Sequence, residues 1–348
     1  LTLEKRYRDD LVTWDRCAAD YERAIVCGHP DVRAYEDFEE DFLDALLRYL
    51  LLKGEGPLRL LDAGCGSARI HLRYGLKMSP SVPNTPGRDI AYDPLIASGL
   101  NGIDGVDFSS EMLDIARQKL STAGISPRIR NLLRLRQGSA FDPAPEFVKG
   151  LPVAMAVCNT IGVMQGPEGA RRLFQALRKE VEQEGGIALI SAYRHDAVSN
   201  YALGNYESTM NVSGQPYWLQ PLRFTSRDVV PIPLEMKRAF DSNPTIRVGI
   251  NRPDGTRLEE CILKRDPKAV QEVIATGHIR TLWDYESYWY PMDQVAEWIA
   301  TYWGRLPVWH IDGRQIDALR AWPVQLAILD AGNHLKDFLW RLGIQKGI

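Results

Sequence analysis

The chain lacks most of the short signatures that declare a function outright. It contains no Gly-Lys-Ser or Gly-Lys-Thr, so there is no Walker-type phosphate loop. Its 5 cysteines are scattered without a C-x-x-C pair, which argues against a disulfide framework and against a zinc site. No metal-ligating cluster is expected. No apolar run reaches the roughly 18 residues a membrane span needs, and no signal-peptide pattern opens the chain, so a soluble, cytoplasmic protein without membrane contact is expected. A formal net charge of -3 and the absence of a long basic run argue against a nucleic-acid partner, which would need a basic face. There is no internal repeat. The length of 348 residues suits one large α/β domain carrying insertions.

What is present is concentrated in Leu58-Arg59-Leu60-Leu61-Asp62-Ala63-Gly64-Cys65-Gly66-Ser67-Ala68. An apolar strand runs into an acidic residue, then into two close glycines, then into a helix. Glycine lets the backbone turn sharply and approach a ligand, because no Cβ intervenes. The helix that follows offers unpaired N–H groups at its first turn. In a mostly parallel sheet this is where a nucleotide-like ligand sits. The dinucleotide fingerprint is incomplete: Arg69 stands where a third glycine or alanine belongs, and Pro83-Asn84-Thr85-Pro86-Gly87 stands where an acidic strand end belongs.

Asp62-Ala63-Gly64-Cys65-Gly66 resembles motif I of the class I S-adenosylmethionine-dependent methyltransferases. Gly102-Ile103-Asp104-Gly105-Val106-Asp107-Phe108-Ser109-Ser110-Glu111-Met112-Leu113 resembles the second strand and helix start of the same family, and Asn159-Thr160-Ile161-Gly162 resembles its glycine and sarcosine N-methyltransferase branch. The resemblance implies a Rossmann-like, doubly wound, mostly parallel α/β sheet with an N-terminal helical lid. It also implies S-adenosylmethionine as cofactor, with S-adenosylhomocysteine as product. It places cofactor contacts at Asp62, Ala63, Gly64, Cys65, Gly66, Asp107, Phe108, Met112, Ser139, Ala140, Phe141 and Asn159. Asp107 matches the residue that binds the ribose hydroxyls, and an ionised carboxylate can accept both protons. Ser139 stands where the family has an acidic adenine contact. Tyr21, in Trp14-Asp15-Arg16-Cys17-Ala18-Ala19-Asp20-Tyr21-Glu22, matches the lid residue.

The spacing departs from the family. Gly64 and Asp107 lie 43 residues apart, about twice the ~20-residue reach of a βαβ unit, so an inserted loop is expected over 73–101. Its stretch Met78–Gly87 is rich in proline and serine, which break regular structure. A helix is expected from about Tyr35 to Leu52, and another from about Pro167 to Glu184 with Leu173, Ala176, Leu177 and Val181 facing inward. Val153–Cys158 and Ile187–Tyr193 are continuous apolar runs, as in central strands buried on both faces. Leu132–Arg136 alternates as a half-wet strand does.

Both of those central strands end on polar groups. Asn159 and Thr160 follow the first; Asn159 either faces the reacting methyl group or caps the turn. Tyr193, Arg194 and His195 close the second. His195 titrates near neutrality and suits a catalytic base, and Arg194 suits bidentate capture of a substrate carboxylate. Tyr193 and Thr160 complete the substrate set, and Tyr21, Asn159 and His195 the catalytic one.

The chain therefore divides into an N-terminal helical lid over 1–52 and a cofactor-binding core over 53–196. A β-rich insertion covering the substrate follows over 197–280, with strands at Leu222–Thr225 and Thr245–Ile250 and a turn at Arg252–Gly255. The core resumes over 281–303, with the sixth strand and its helix in Thr281–Val295. A helical extension over 304–348 is expected to close the pocket or form a homodimer contact. Methyl transfer to a small metabolite is the expected activity, on an amine nitrogen of an amino acid or related compound, with O-methylation as the alternative. Spermidine-synthase-type aminopropyl transfer would need acidic residues at 155–165, which has none, and a catalytically silent cofactor-binding protein remains the other alternative.

Overall fold

The computed structural model describes residues 14, 15, 18, 22, 30–80, 90–146, 149–164, 166–194, 209–212, 215–220, 250–251, 258–259, 261–264, 290–313 and 324–344. In chain order these carry α1 (Pro30–Leu52), β1 (Leu58–Ala63), α2 (Arg69–Lys77), α3 (Pro94–Gly99), β2 (Leu100–Asp107), α4 (Ser110–Thr122), α5 (Pro127–Arg130), β3 (Leu133–Gln137), β4 (Leu151–Ala156), α6 (Thr160–Val163), α7 (Gly166–Glu182) and β5 (Ile187–Tyr193). Then come β6 (Thr209–Val212), β7 (Gln215–Gln220), β8 (Ile250–Asn251), β9 (Leu258–Glu259), β10 (Cys261–Lys264), α8 (Met292–Tyr302), β11 (Val308–Asp312), β12 (Val324–Asp330) and α9 (Lys336–Arg341).

Seven strands form one sheet in the order β11-β12-β5-β4-β1-β2-β3. Strands β3, β2, β1, β4 and β5 run parallel, and β12 pairs antiparallel with both β5 and β11. This is the Rossmann-like, doubly wound sheet that the family resemblance implied. Every residue of β1 and β12 is buried, as a sheet covered on both faces demands. One face packs against α1, whose Phe38, Phe42, Leu46 and Leu50 recur every fourth residue and belong to a single core cluster with Leu58, Leu60 and Leu189. The other packs against α7 and α8, where Trp303 Nε1 donates to the Phe174 carbonyl at 2.8 Å across the helix pair. Helix α4 starts where Ser109 Oγ accepts from the Met112 N–H at 3.2 Å, a side-chain cap.

One expectation changes in the C-terminal part. The segment 304–348, read as a helical extension, supplies two strands of the main sheet, with helix confined among the described residues to Lys336–Arg341 and the residue after β11. The run Val324–Leu329 is continuously apolar apart from Gln325, and periodicity alone does not separate a buried strand from a buried helix in so short a run. Among the described residues, the strand that follows the insertion in the main sheet is β11, after helix α8. Residues 281–289 lie outside the described residues, whereas the helix expected next is α8.

The inserted loop of 73–101 is shorter than expected, because α2 runs to Lys77 and α3 occupies Pro94–Gly99. Asp93 caps α3, accepting from Leu95 and Ile96 N–H groups. In the insertion, β6, β7 and β10 form a three-stranded antiparallel sheet. The turn read at Arg252–Gly255 falls between β8 and β9, which pair antiparallel. Leu222–Thr225 and Thr245–Gly249 lie outside the described residues, as does the central stretch of the inserted loop, 81–89. No described helix is long and apolar enough to cross a membrane.

Candidate functional site

The strand order reverses between β1 and β4, and a cavity opens at the carboxyl ends of β1, β2 and β4, the switch point where open α/β sheets take their ligands. Its wall includes Asp62, Gly64, Cys65, Gly66, Asp107, Phe108, Met112 and Thr160 from the expected set. Gly64 has φ +85°, and a Cβ there would fall 2.6 Å from Thr160 Cγ2 and 2.9 Å from Met164 Cε. Only glycine fits that position without displacing the β4 strand end. Gly66, φ +49°, faces open space.

Asp107 at the tip of β2 ties the two motifs together. Its Oδ2 accepts from the Gly66 N–H at 2.8 Å and its Oδ1 from the Ser109 N–H at 2.9 Å. A carboxylate has about four acceptor positions, so these two bonds leave capacity for ligand hydroxyls. Burial pushes its pKa up to about 6, and the N–H groups of Ser109, Gly66 and Phe108 oppose that rise. Asp62, at the end of β1, is more perturbed. Burial pushes it up to about 7; Arg69 lowers it, and Asp107 and Glu39 raise it. Its Oδ1 is buried and makes no hydrogen bond.

Beneath the turn lies His71, fully buried, with Nε2 3.1 Å from the Arg134 carbonyl and Nδ1 4.0 Å from Asp62 Oδ2. Burial lowers its pKa to about 4, so the ring is neutral. The carbonyl fixes the proton on Nε2 and leaves a lone pair on Nδ1 facing Asp62.

Charged residues that the motifs did not reveal come from α1. Glu36, Glu40 and Asp44 recur every fourth residue there, as Arg69, Arg73 and Lys77 do on α2, and the two stripes mesh. Arg69 NH1 donates to Glu40 Oε1 at 3.1 Å, Arg69 NH2 to Glu39 Oε2, Arg73 to Glu40 and Asp44, and Lys77 Nζ to Asp44 Oδ2 at 2.8 Å. Glu36 and Arg69 line the cavity. The matched i, i+4 spacing of opposite charges is the signal that could have paired these helices.

The end of β4 is strained. Cys158 and Asn159 both have φ +56°, which costs a non-glycine residue on the order of 1–3 kcal/mol. Buried bonds hold them there. Glu39 Oε1 accepts from the Cys158 N–H at 2.7 Å, Ser191 Oγ accepts from the same N–H at 3.0 Å, and Asn159 Oδ1 accepts from the Tyr193 N–H at 3.2 Å. Asn159 sits at the start of α6 but makes no side-chain cap there. Cys158 and Thr160 line the cavity; Asn159 does not.

Other expected residues lie apart from the cavity wall. Ala63 is fully buried in the core. Ser139 Oγ accepts from the Phe141 N–H, Ala140 is buried beside them, and the Phe141 ring lies under the Arg172 guanidinium at 4.2 Å. Tyr193 packs against Tyr35, ring centroids 4.7 Å apart. Arg194 is 2% exposed and donates to Asp312 Oδ1 at 2.8 Å across to β11. That pairing places its NH1 on Asp312 rather than on a ligand in the cavity. Tyr21 and His195 lie outside the described residues.

The N-terminal segment crosses this site. Trp14 forms part of the cavity wall, Asp15 Oδ1 accepts from Ser109 Oγ at 2.6 Å, and Lys119 Nζ joins Glu22 at 2.6 Å to Ser67 Oγ at 3.1 Å. The enclosed space is about 120 Å³, below the ~300 Å³ of ordinary small-molecule sites.

No protein-family model matches the sequence, and no curated protein is similar to it. Among solved structures, an S-adenosylmethionine-dependent methyltransferase from Clostridium acetobutylicum is similar at 12% identity and TM-score 0.49, covering 92% of this chain and 99% of that one. The CcbJ methyltransferase from Streptomyces caelestis is similar at 14% identity and TM-score 0.47, covering 92% and 98%. The glycopeptide N-methyltransferase MtfA is similar at 12% identity and TM-score 0.36, covering 78% and 82%. Identities this low concern the fold alone.

Proposed function

We propose that the chain is a methyltransferase that takes its methyl group from S-adenosylmethionine and passes it to a small metabolite, at an amine nitrogen of an amino acid or related compound. The observation that carries this reading is the joint between Gly66 and Asp107 at the switch point of the sheet. A ligand-sized turn with no Cβ at Gly64 lies next to a carboxylate that still has acceptor positions free. Asp107 would hold the ribose hydroxyls, and the Gly64–Gly66 backbone would border the amino-acid end of the donor, with Asp62 beneath it. Phe108 and Met112 would cover its base.

When bound, the donor supplies a methyl group on a positively charged sulfur. Transfer is an in-line displacement: a nitrogen–carbon bond forms, the carbon–sulfur bond breaks, its electron pair stays on sulfur, and the amine gives up a proton. The chain's work is mostly positioning and the exclusion of water. The strained Cys158–Asn159 turn holds Thr160 against the glycine turn, and Trp14 closes the mouth. His195, one residue beyond the buried Arg194, is proposed as the base that receives the proton, and Tyr21 as a lid residue.

The test is transfer of label from methyl-labelled S-adenosylmethionine into a cell extract separated by size. The reading predicts label in the small-molecule fraction, where mass identifies the acceptor. Label in protein or RNA, or none at all, contradicts it.

A further inference from the structure

Beneath the glycine turn, two buried acceptors face each other. His71 and Asp62 are both buried, and Asp62 borders the cavity. Among the described residues neither His71 Nδ1 nor Asp62 Oδ1 makes a hydrogen bond, and Nδ1 lies 4.0 Å from Asp62 Oδ2. The ring is fixed in this orientation. Its Nε2 meets the Arg134 carbonyl at 3.1 Å, and a Cβ at Gly105 would fall 2.5 Å from the ring and 2.9 Å from Cys65 Sγ. A carboxylate opposite a lone pair is repulsive and leaves buried acceptors unsatisfied. One proton on the carboxyl makes the same contact attractive, and roughly an ångström of side-chain movement closes it to an ordinary hydrogen bond.

We propose that His71 is a positioning residue for Asp62: in the free chain its Nδ1 accepts a hydrogen bond from the protonated Asp62 carboxyl, and the ammonium group of an arriving ligand sends that proton to solvent. This rests on the reading of the site as an S-adenosylmethionine pocket, in which the amino-acid end of the ligand borders the Gly64–Gly66 turn, and deepens it. The O–H bond of Asp62 breaks, its electron pair stays on the carboxylate, and the charge so formed faces the ammonium. The pKa values agree with this geometry. Burial chiefly pushes Asp62 up to about 7; Arg69 lowers it, and Asp107 and Glu39 raise it further. Burial lowers His71 to about 4, so the ring does not take the proton itself. The Cys65 and Cys158 thiols near Asp62 are pushed up by burial and stay neutral, so neither adds a competing charge. Arg69 is itself bonded to Glu39 and Glu40 of α1.

The experiment counts the protons released on binding, by titration calorimetry of the full chain in buffers of different ionisation enthalpy, with S-adenosylhomocysteine and with 5′-methylthioadenosine. The two ligands share the adenosine and a neutral thioether and differ in the amino-acid group. Any proton that Asp107 exchanges on meeting the ribose is therefore common to both. At about pH 6 the ligand's amine, an α-amino group with an ordinary pKa of about 7.7–8.0, already carries its proton. The inference predicts that S-adenosylhomocysteine there releases close to one proton more than 5′-methylthioadenosine, and that Asp62→Asn abolishes the difference. Equal counts for the two ligands overturn it. It also predicts that His71→Gln, which keeps a donor for the Arg134 carbonyl, lowers the pH of half-release by roughly one unit, the effect of one hydrogen bond to the acid form. A residue that only fills space would weaken both ligands alike and leave that pH in place, so an unmoved pH overturns the inference. If His71→Gln does not fold, the nitrogen NMR resonance of His71 Nδ1 in the unmodified chain decides. A shift with S-adenosylhomocysteine and none with 5′-methylthioadenosine supports the inference, and any other pattern overturns it. Failure of both S-adenosylmethionine and S-adenosylhomocysteine to bind overturns the methyltransferase reading itself, whereas binding without the extra proton overturns this inference alone.

Discussion

Glu39 and Cys158 lie 119 positions apart, yet the Glu39 carboxylate accepts the Cys158 N–H at 2.7 Å. The same carboxylate bonds Ser191 Oγ and the Arg69 guanidinium, so one buried side chain joins α1, the start of α2, β5 and the strained end of β4. The turn beside the cavity is thus held by an acid from outside the sheet. Removing the acid leaves a buried N–H and a buried guanidinium with fewer partners. Glu39→Ala is expected to cost about 3–5 kcal/mol in urea unfolding, whereas Glu39→Gln, which can still accept from Cys158, costs less.

Gly64→Ala places a Cβ 2.6 Å from Thr160 at a positive φ. The expected result is a loss of roughly 1–3 kcal/mol in stability together with a large drop in S-adenosylmethionine affinity by calorimetry. Gly66→Ala meets no atom within 4 Å and should be the milder of the two for packing.

Asp62 and His71 pull the pH dependence of stability in opposite directions. Asp62 has its folded pKa raised to about 7, so the native state holds its proton between the ordinary value of 3.8 and about 7, and this group destabilises the fold as pH rises through that window. His71 has its folded pKa lowered to about 4 from 6.5, so it destabilises the fold as pH falls from about 6.5 to about 4. The two slopes offset one another in the unmodified chain. Asp62→Asn is expected to expose the His71 slope: urea midpoints measured from pH 7 to pH 4.5 should fall more steeply than in the parent.

Buried Arg194 pairs with half-buried Asp312. Asp312→Ala should destabilise the chain by roughly 1–3 kcal/mol, because it takes an anionic hydrogen-bond partner from a buried guanidinium. Its S-adenosylmethionine affinity at a temperature where it remains folded should match the parent, since neither residue borders the cavity. A tenfold loss of affinity would place this pair in the ligand site after all.

Much of this arrangement was legible in the sequence. Local chemistry sufficed for the Gly64–Gly66 turn and for Ile187–Tyr193, whose bounds match β5. Gly102–Asp107 was legible as a strand only through its resemblance to the second strand of the methyltransferase family. The reason for Gly105 within it is visible only in three dimensions, where the His71 ring would lie 2.5 Å from a Cβ. The fate of Arg194 was not legible either. Its partner Asp312 lies 118 positions away on an antiparallel strand pair whose order in the sheet no local pattern encodes. Glu36 and Glu39 were hidden for a related reason. Nothing local marks these α1 acids as buried, and only the complementary stripe on α2 draws them inward.

The most direct test of the central claim is a titration of the chain with S-adenosylmethionine, followed by calorimetry and by Trp14 fluorescence in parallel with Trp14→Phe. The account predicts one donor bound per chain, displaced by S-adenosylhomocysteine and severely weakened in Asp107→Ala. It also predicts a change in emission that Trp14→Phe abolishes, because Trp14 lines the cavity. Absence of donor binding, or binding that Asp107→Ala leaves unchanged, would contradict it.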